Sequence, residues 1–274
     1  MFNKFNTIRP YTQGESCKTY PIYFPPQHQD IQPGMEYLMK PLPVFDDSNY
    51  RGSGKLKDKV AIITGGDSGI GRAVAVFFAK EGAKLVLVYY NEERDANDTK
   101  DYIERLGGEV LLIHGDLKNK DFSNFIVNET LNCYGKIDIL VNNAGVQYFA
   151  DNLTDISNEQ FDYTMKSNIY SMFYLTKAVL PYLDSGSSII NTTSITTYNG
   201  EGDLIDYVTS KGAIVGFTRA LATNLAPKNI RVNAVAPGPF WTALQPASRK
   251  AKDIPVFGST GPMKRAGQPY EIAS

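Results

Sequence analysis

The sequence predicts an α/β fold in which a doubly wound parallel sheet carries helices on both faces, a three-layer α/β/α arrangement. From residue 59 onward, short apolar runs alternate with segments whose apolar residues repeat at helical spacing. Strands separated by helices make parallel crossovers, and such crossovers build a doubly wound sheet. The 274 residues are enough for one large domain of this kind with a sizeable core.

The predicted elements follow one another without a shorter internal repeat. Strands are predicted at residues 60–64, 84–90, 109–114, 137–141, 188–192 and 230–235. Helices are predicted at residues 70–81, from after residue 90 to about 106, at 118–133, from about 158 to 183, and at 205–225. Ligands of such a sheet bind at the carboxyl ends of its strands, so a site is expected there.

The stretch 59–71, KVAIITGGDSGIG, is the part of the chain around which the predicted sheet is organised. Its apolar residues 60–63 are typical of a strand buried on both faces, and a glycine turn then leads directly into a helix. The first N–H groups of a helix lack partners, and its dipole favours negative charge. The junction therefore predicts a site for the pyrophosphate of a dinucleotide, with an ordinary strand-to-helix turn as the alternative.

Residues 1–54 differ from the rest, because prolines and aromatics are mixed there without a helical or strand period. Proline fixes φ and removes a donor, so extended or polyproline-like structure is expected. Disordered segments are usually poor in aromatics, which favours an arm that packs over the body or over a neighbouring subunit. The predicted division is an N-terminal extension at 1–54 and an α/β domain at 55–274.

Composition narrows the classes of partner. The formal net charge of −1 gives no indication of binding to nucleic acid or to a membrane surface. No apolar run approaches the roughly 20 residues of a membrane span, and the first residues lack the apolar core of a signal peptide. The expected location is therefore the cytoplasm. Cys17 and Cys133 are expected to be reduced thiols, and the two histidines have no ligand cluster, so no metal site is expected.

Four residues in the second half of the chain are candidates for chemistry. Tyr207 and Lys211 lie four residues apart in a predicted helix and therefore share one face. A free phenol titrates at about 10, and a nearby ammonium lowers that pKa. Ser194 follows the strand at 188–192, where a hydroxyl can donate to a substrate carbonyl oxygen. Asn168 lies within a predicted helix, where asparagine is a mediocre helix former, so a functional or kinked position is indicated.

Each of these features also has an ordinary structural interpretation. Tyr207 and Lys211 could lie on the surface of an amphipathic helix, and Ser194 could cap a loop. Asp116 follows the strand at 109–114 and could contact an adenine edge or be the N-cap of the next helix. The NNAG run at 142–145 could be a turn, or could leave room for a ribose or nicotinamide.

Taken together, the motifs resemble those of the short-chain dehydrogenase/reductase superfamily. TGGDSGIG matches its TGxxxGxG cofactor loop, NNAG its sheet-stabilising motif, and Asn168, Ser194, Tyr207 and Lys211 its catalytic tetrad. Pro237, Gly238 and Thr242 match its PGxxxT segment. The segments PGMEYLMKPLPV and RGSGKLKDKVAIITGGDSGIGRAVA are similar to a narrower group, the general stress and glucose/ribitol dehydrogenase-like proteins.

The resemblance implies a Rossmann fold, NAD or NADP as cofactor, and hydride transfer to or from a small carbonyl or alcohol substrate such as an aldehyde, ketone, polyol or sugar. Tyr207 would exchange the proton of the substrate oxygen, Lys211 would lower the Tyr207 pKa and hold the ribose, and Ser194 would hold the substrate oxygen. Asn168 would bind a relay water. The implied cofactor contacts are Gly65, Asp67, Ser68, Gly69, Ile70, Gly71, Tyr89, Asp116, Leu117, Asn143, Ala144, Gly145, Tyr207, Lys211, Pro237, Gly238 and Thr242. A homo-oligomer, a tetramer in this family, is also implied.

Two departures from the family pattern leave points open. Tyr89 stands where NAD-selecting members often carry an acid, and Ser68 stands where NADP-selecting members often carry a base. Glu92 and Glu93 would repel a 2′-phosphate if they turned inward, so NAD versus NADP is undecided. The chain also stops at GQPYEIAS, where relatives continue through a further helix and strand, so a truncated chain with an open edge at the strand 230–235 is expected.

The substrate lid is expected at residues 240–265, where Phe240 and Trp241 suggest a partly apolar pocket. Two other functions remain as alternatives to an oxidoreductase. One is a non-catalytic, dinucleotide-binding stress protein, which would need the glycine turn but not Ser194, Tyr207 and Lys211 together. The other is an extended epimerase or dehydratase, for whose larger C-terminal substrate domain this chain has no length.

Overall fold

The computed structural model describes residues 8–13 and 16–274, with side chains described from residue 20 onward. A six-stranded parallel sheet forms its centre. Its strands are β3 (Val60–Thr64), β4 (Lys84–Tyr89), β5 (Glu109–His114), β6 (Ile137–Asn142), β7 (Leu183–Thr192) and β8 (Arg231–Val235). They lie side by side in the order β5-β4-β3-β6-β7-β8. The strand order reverses between β3 and β6, as in a doubly wound sheet, and β8 forms one edge.

Helices cover both faces of the sheet. They are α1 (Gly69–Lys80), α2 (Glu93–Arg105), α3 (Lys120–Tyr134), α4 (Asn158–Met165), α5 (Ser171–Val179), α6 (Thr196–Asn199), α7 (Ile205–Leu225) and α8 (Tyr270–Ala273). Alternate residues of each strand enter different cores: Ala61 and Ile63 pack with residues of α1 and α2, whereas Ile62 packs with residues of α3, α5 and α7. The predicted three-layer α/β/α fold is confirmed.

The predicted elements agree with this structure except in one stretch. The long helix predicted at 158–183 is divided, because a π-helical turn at Lys166–Tyr170 separates α4 from α5. It also ends early, at Val179, and Pro181 lies in the 3₁₀ turn Leu180–Tyr182 that follows. The next strand consequently begins at Leu183 rather than at 188.

The N-terminal segment contains more regular structure than its sequence predicts. Two antiparallel strands, β1 (Ile8–Gln13) and β2 (Ser16–Pro21), pair along their whole length, and Glu36–Leu38 forms a 3₁₀ turn. Extended structure was expected here and is present at residues 8–13 and 16–21, but the pairing of the two strands into a hairpin was not predicted. A hairpin is held by backbone hydrogen bonds, which leave little trace in a proline-rich sequence. The side chain of Cys17 lies outside the described part, and Cys133 is a free, exposed thiol.

The segment from residue 20 onward packs on the body. Phe24 is fully buried and stacks on Trp241, with ring centroids 3.8 Å apart. The indole N–H of Trp241 donates to the carbonyl of Pro41 at 2.8 Å. Within the described residues, no helix combines the length and the apolar character that crossing a bilayer requires.

Candidate active site

A cleft of about 890 Å³ opens at the carboxyl ends of the strands, where the strand order reverses. It lies between the turns that follow β3 and β6 and the segment that follows β8. The predicted residues that line it are Gly65, Asp67, Ser68, Gly69, Ile70, Tyr89, Asp116, Leu117, Asn143, Ala144, Gly145, Ser194, Tyr207, Lys211, Pro237, Gly238 and Thr242. Gly71 and Asn168 are the predicted residues that do not line it.

The glycine turn after β3 has the shape that a dinucleotide needs. Gly65 and Gly69 have φ values of +60° and +52°, a region that favours glycine. A side chain at Gly71 would place its first carbon 1.8 Å from the carbonyl oxygen of Gly65, so the turn closes on itself only with glycine there. Backbone thus lines the mouth of the cleft at the start of α1, and these residues fit a pyrophosphate.

The turn after β6 is tied to the same glycine turn. Asn143 donates its side-chain amide to the carbonyls of Thr64 and Gly65, each at 3.2 Å. Its own backbone N–H donates to the hydroxyl of Thr64 at 2.9 Å. Asn142 points instead beneath the cleft and donates to Asn191 at 2.9 Å. The NNAG run is therefore both a structural turn and a wall of the cleft.

Tyr207 and Ser194 meet at the inner end of the cleft. The two residues are 7% and 6% exposed, and their hydroxyls lie close enough to interact. Burial raises the pKa of the Tyr207 phenol, and the nearby Ser194 hydroxyl acts in the opposite direction. The hydroxyl of Ser194 also accepts from the backbone N–H of Thr196 at 3.2 Å, which fixes its position at the start of α6.

Lys211 lies on the same face of α7 as Tyr207. Its ammonium is 5.6 Å from the centroid of the Tyr207 ring and donates to the carbonyl of Thr192 at 2.8 Å. Burial lowers the pKa of Lys211 to about 8. The sequence predicted a Tyr207 pKa lowered by this lysine, whereas the net direction in the structure is upward, because desolvation of the phenol dominates.

Asn168 lies in the π-helical turn, as its poor fit to a regular helix indicated. Its side chain clamps the turn after β6, because it accepts the N–H of Val146 at 2.8 Å and donates to the Val146 carbonyl at 2.9 Å. It also donates to Ser210 at 3.0 Å. A methyl group at Gly145 would lie between Asn168 and Lys211, 3.2 and 3.3 Å from their polar atoms, so the three residues are neighbours.

Polar side chains surround the ends of β4 and β5. The phenol of Tyr89 donates to Glu93 at 2.6 Å, and burial together with this carboxylate raises the pKa of Tyr89 to about 12. Asp116 accepts the N–H of Lys118 at 2.9 Å and forms an ion pair with the Lys118 ammonium at 3.0 Å. The alternative that Asp116 is the N-cap of the next helix was wrong, because Asn119 caps α3.

The segment after β8 forms one wall of the cleft through Phe240, Leu244 and Phe257. The expectation that Trp241 contributes to a pocket was wrong, since this side chain is fully buried against the N-terminal segment. Sequence reasoning also missed cleft residues in two other places. They are Pro33 and Gly34 in the N-terminal segment, and Gln147 and Tyr163 in the stretch from β6 to α4, whereas Gln245, Arg249 and Asp253 belong to the predicted lid.

Glu36 is the other residue that sequence reasoning missed. It is 1% exposed, and its carboxylate accepts the backbone N–H of Gly69 at 2.6 Å and bonds Arg72 at 2.6 Å. The N-terminal segment therefore reaches under the glycine turn. Its presence in the PGMEYLMKPLPV run, which the sequence analysis singled out, was the only signal that could have pointed to it.

The arrangement brings together a closed backbone turn that fits a phosphate, and a phenol, hydroxyl and amine of the kinds that proton transfer requires. Comparison with known proteins agrees with this combination. A family model described as enoyl-(acyl carrier protein) reductase matches residues 65–274. An uncharacterized oxidoreductase of Bacillus subtilis is 58% identical over 91% of this chain and 87% of its own length.

Other relatives carry more specific names. A glucose and ribitol dehydrogenase of Daucus carota is 46% identical over 92% of this chain and 88% of its own length. An NADPH-dependent aldehyde reductase of Arabidopsis thaliana is 47% identical over 90% of this chain and 88% of its own.

Solved structures give the cofactor class. A Burkholderia cenocepacia short-chain dehydrogenase in complex with NADP has a TM-score of 0.71 at 28% identity, covering 80% of this chain and 89% of its own. A 3-ketoacyl-(acyl-carrier-protein) reductase from Brucella melitensis complexed with NADH has the same TM-score at 32% identity, with the same coverage. This chain is an NAD(P)-dependent oxidoreductase that belongs to the short-chain dehydrogenase/reductase family.

Proposed function

We propose that this oxidoreductase interconverts a small carbonyl compound and the corresponding alcohol, with Tyr207 as the residue that exchanges the proton of the substrate oxygen. The observation that carries this proposal is the approach of the Tyr207 and Ser194 hydroxyls inside the cleft, with the Lys211 ammonium beside the phenol ring. A substrate oxygen that enters between the two hydroxyls can accept from both.

Each residue then has a distinct role. The nicotinamide cofactor, when bound, supplies or accepts the hydride. Ser194 donates to the substrate oxygen and orients the carbonyl carbon. Tyr207 gives its proton to that oxygen during reduction, and its raised pKa keeps the phenol protonated until the oxygen becomes basic. Lys211 places a positive charge beside the ring, which favours the phenolate left after the transfer.

Asn168 does not contact the substrate in this proposal but positions residues that do. Its side chain holds the turn at Val146 and stands beside Lys211 and Gly145. The π-helical turn around it departs from regular helical hydrogen bonding, and it would offer backbone groups to the relay water that the family resemblance implies behind Lys211.

The substrate class proposed is an aldehyde, ketone, polyol or sugar. The names of the carrot and Arabidopsis relatives support small polar alcohols and aldehydes. The cleft offers amide and charged groups from Gln147, Gln245 and Arg249 beside apolar Leu244 and Phe257. Such a mixed lining suits a polar molecule with a short carbon skeleton.

A screen of aldehydes, ketones, polyols and sugars, followed by the absorbance of the reduced cofactor, tests the proposal. The wild-type chain is expected to turn over one of these classes, and the variant Tyr207→Phe is expected not to. If the chain binds the dinucleotide but turns over no member of any class, the small-carbonyl proposal fails.

Three further expectations are part of the proposal. The chain is proposed to assemble as a homo-oligomer, a tetramer by family resemblance, and the exposed Phe161, Tyr170 and Phe173 on the α4–α5 stretch would support such contacts. Light scattering on the purified chain tests this assembly.

The division at residue 54 and the cytoplasmic location also stay predictions, which limited proteolysis and cell fractionation test.

A further inference from the structure

Two buried carboxylates face the cleft where β4 meets the glycine turn. Asp67 lies in the turn itself and is 2% exposed, and Glu92 directly precedes α2 and is 4% exposed. Both line the cleft beside Tyr89 and Tyr90. Within the described part of the chain, neither forms an ion pair with a lysine, arginine or histidine. Two acidic groups thus stand together without a counter-charge.

Glu92 is held in place from behind. Its Oε2 atom accepts the backbone N–H groups of Tyr90 at 3.1 Å and Asn91 at 2.8 Å, so the chain after β4 folds around the carboxylate. Glu93, the next residue, turns outward and accepts from Tyr89 and Asn97. Of the two glutamates whose direction the sequence left open, Glu92 turns inward and Glu93 does not.

Asp67 retains an unused acceptor. Its Oδ2 atom is buried and has no hydrogen-bond partner, although burying such an atom without a partner costs free energy. Burial raises the pKa of both carboxyls, and for Asp67 the charge of Glu92 adds to the rise. A ligand hydroxyl can bond this oxygen whether the Asp67 carboxyl is ionised or protonated, because a hydroxyl both donates and accepts hydrogen bonds.

We propose that Asp67 and Glu92 make this chain select NAD(H) over NADP(H), by bonding the hydroxyls of the adenosine ribose and repelling a 2′-phosphate. The proposal rests on the assignment of the cleft to the dinucleotide. A phosphate ester carries a charge of about −1.5 to −2 and offers only acceptors at neutral pH. Placed beside these two buried carboxylates, it would meet like charge.

The strongest opposing feature is Lys118. Its ammonium lies 5.1 Å from the centroid of the Tyr90 ring and lines the same cleft, so it could in principle meet a phosphate. It is, however, already paired with Asp116 at 3.0 Å. The charge nearest to the end of β4 is therefore negative, and selection falls to Asp67 and Glu92.

The dissociation constants of NADH and NADPH for the full purified chain test the inference directly, by reduced-nicotinamide fluorescence. The wild-type chain is expected to bind NADH about tenfold or more tightly than NADPH. Asp67→Asn and Glu92→Gln each replace an ionisable carboxyl by a neutral amide of the same shape, and each is expected to tighten NADPH binding about threefold or more relative to NADH. Glu93→Gln, the matched control with its carboxylate turned outward, is expected to leave the ratio unchanged.

The outcomes separate two failures. If wild-type protein binds NADPH as tightly as NADH, or if the Asp67→Asn and Glu92→Gln variants both leave the ratio unchanged, these carboxylates do not select the cofactor. If it binds neither nucleotide, the assignment of the cleft to a dinucleotide fails instead. The ratio of the NADPH and NADH dissociation constants of the wild type tests the inference even if a variant does not fold. Thermal unfolding with each nucleotide provides a second readout of the same preference.

Discussion

The carboxylate of Glu36 accepts the backbone N–H of Gly69 at 2.6 Å, so a residue of the N-terminal segment occupies the first donor of α1. The same carboxylate bonds the Arg72 guanidinium one turn further along, and both side chains are buried. Asp95 in turn accepts the backbone N–H groups of Glu36 and Tyr37. The N-terminal segment, which precedes the sheet in sequence, therefore holds the glycine turn in place from beneath.

Replacing Glu36 by alanine is expected to destabilise the fold by about 3–5 kcal/mol, because Arg72 would be left as an unpaired buried charge. Glu36→Gln retains an acceptor for Gly69 and should cost less. Urea denaturation followed by the fluorescence of Trp241, the single tryptophan, measures both effects. Glu104→Ala, which removes an exposed carboxylate of α2, is the control and should change stability by no more than about 0.5 kcal/mol. Equal stability of the wild type and Glu36→Ala would show that the contacts of Glu36 do not stabilise the fold.

Tyr207→Phe removes one hydroxyl and leaves the ring in place. Turnover is expected to fall about 10²- to 10⁴-fold, because proton transfer to the substrate oxygen loses its donor. The dissociation constant of the reduced cofactor should change little, since the glycine turn and the β6 turn are untouched. Tyr182→Phe, which alters an exposed phenol, is the matched control. Near-wild-type turnover of Tyr207→Phe would remove Tyr207 from the proposed chemistry.

The parts of the fold that local patterns encode could be predicted from the sequence. The helix at 205–225 and the strand at 109–114 were predicted with their observed limits, because apolar spacing and flanking turn residues specify them. The glycine turn followed from its place between a strand and a helix. The candidate site at the strand ends then followed from the parallel topology.

Features that depend on distant contacts could not be predicted in this way. Glu36 lies in a proline-rich stretch, and its contact with Gly69 joins residues 33 positions apart. The burial of Trp241 depends on Phe24, which no local pattern connects to it. The direction of the Tyr207 pKa depends on how deeply the phenol is buried, and a spacing of four residues from Lys211 does not reveal that depth.

The buried Lys211 makes stability depend on pH. Its folded-state pKa, about 8, lies below the ordinary value of 10.5, so the charged form costs free energy at pH 7. The unfolded chain binds more protons between these two values, and wild-type stability therefore rises with pH across that window. The free-energy cost of burying the charged Lys211 ammonium, which disappears as the pH rises through this window, is at most about 3 kcal/mol.

Lys211→Met removes this titration, so its stability relative to wild type should be greatest at pH 7 and should decline as pH rises above about 8. Loss of the hydrogen bond to Thr192 offsets part of the gain at every pH. Urea denaturation at pH 7, 8, 9 and 10 gives the difference curve, with the exposed Lys228→Met as the control. A difference that stays constant over this range would mean that Lys211 keeps an ordinary pKa in the folded protein.

Phe24→Ala tests whether the N-terminal segment supports the wall of the cleft formed by Phe240 and Leu244. Phe24 is fully buried against Trp241, and deleting a buried phenylalanine side chain costs about 3–5 kcal/mol. Water should then reach the indole, so the emission of Trp241 should shift to longer wavelength in the folded variant. Because the wall is loosened while the glycine turn keeps Glu36, KM for the substrate should rise more than the dissociation constant of the cofactor.

Phe125→Ala, which truncates a half-exposed phenylalanine of α3, serves as the control for Phe24→Ala and should leave emission and KM unchanged. Limited proteolysis gives an independent readout, since a packed segment resists cleavage in proportion to the free energy of its opening. Cleavage within residues 20–50 should be faster in Phe24→Ala than in wild type. If wild-type protein loses this segment at once while its core and its activity survive, the segment contributes nothing to the cleft, and the contacts of Phe24 and Glu36 are dispensable for catalysis.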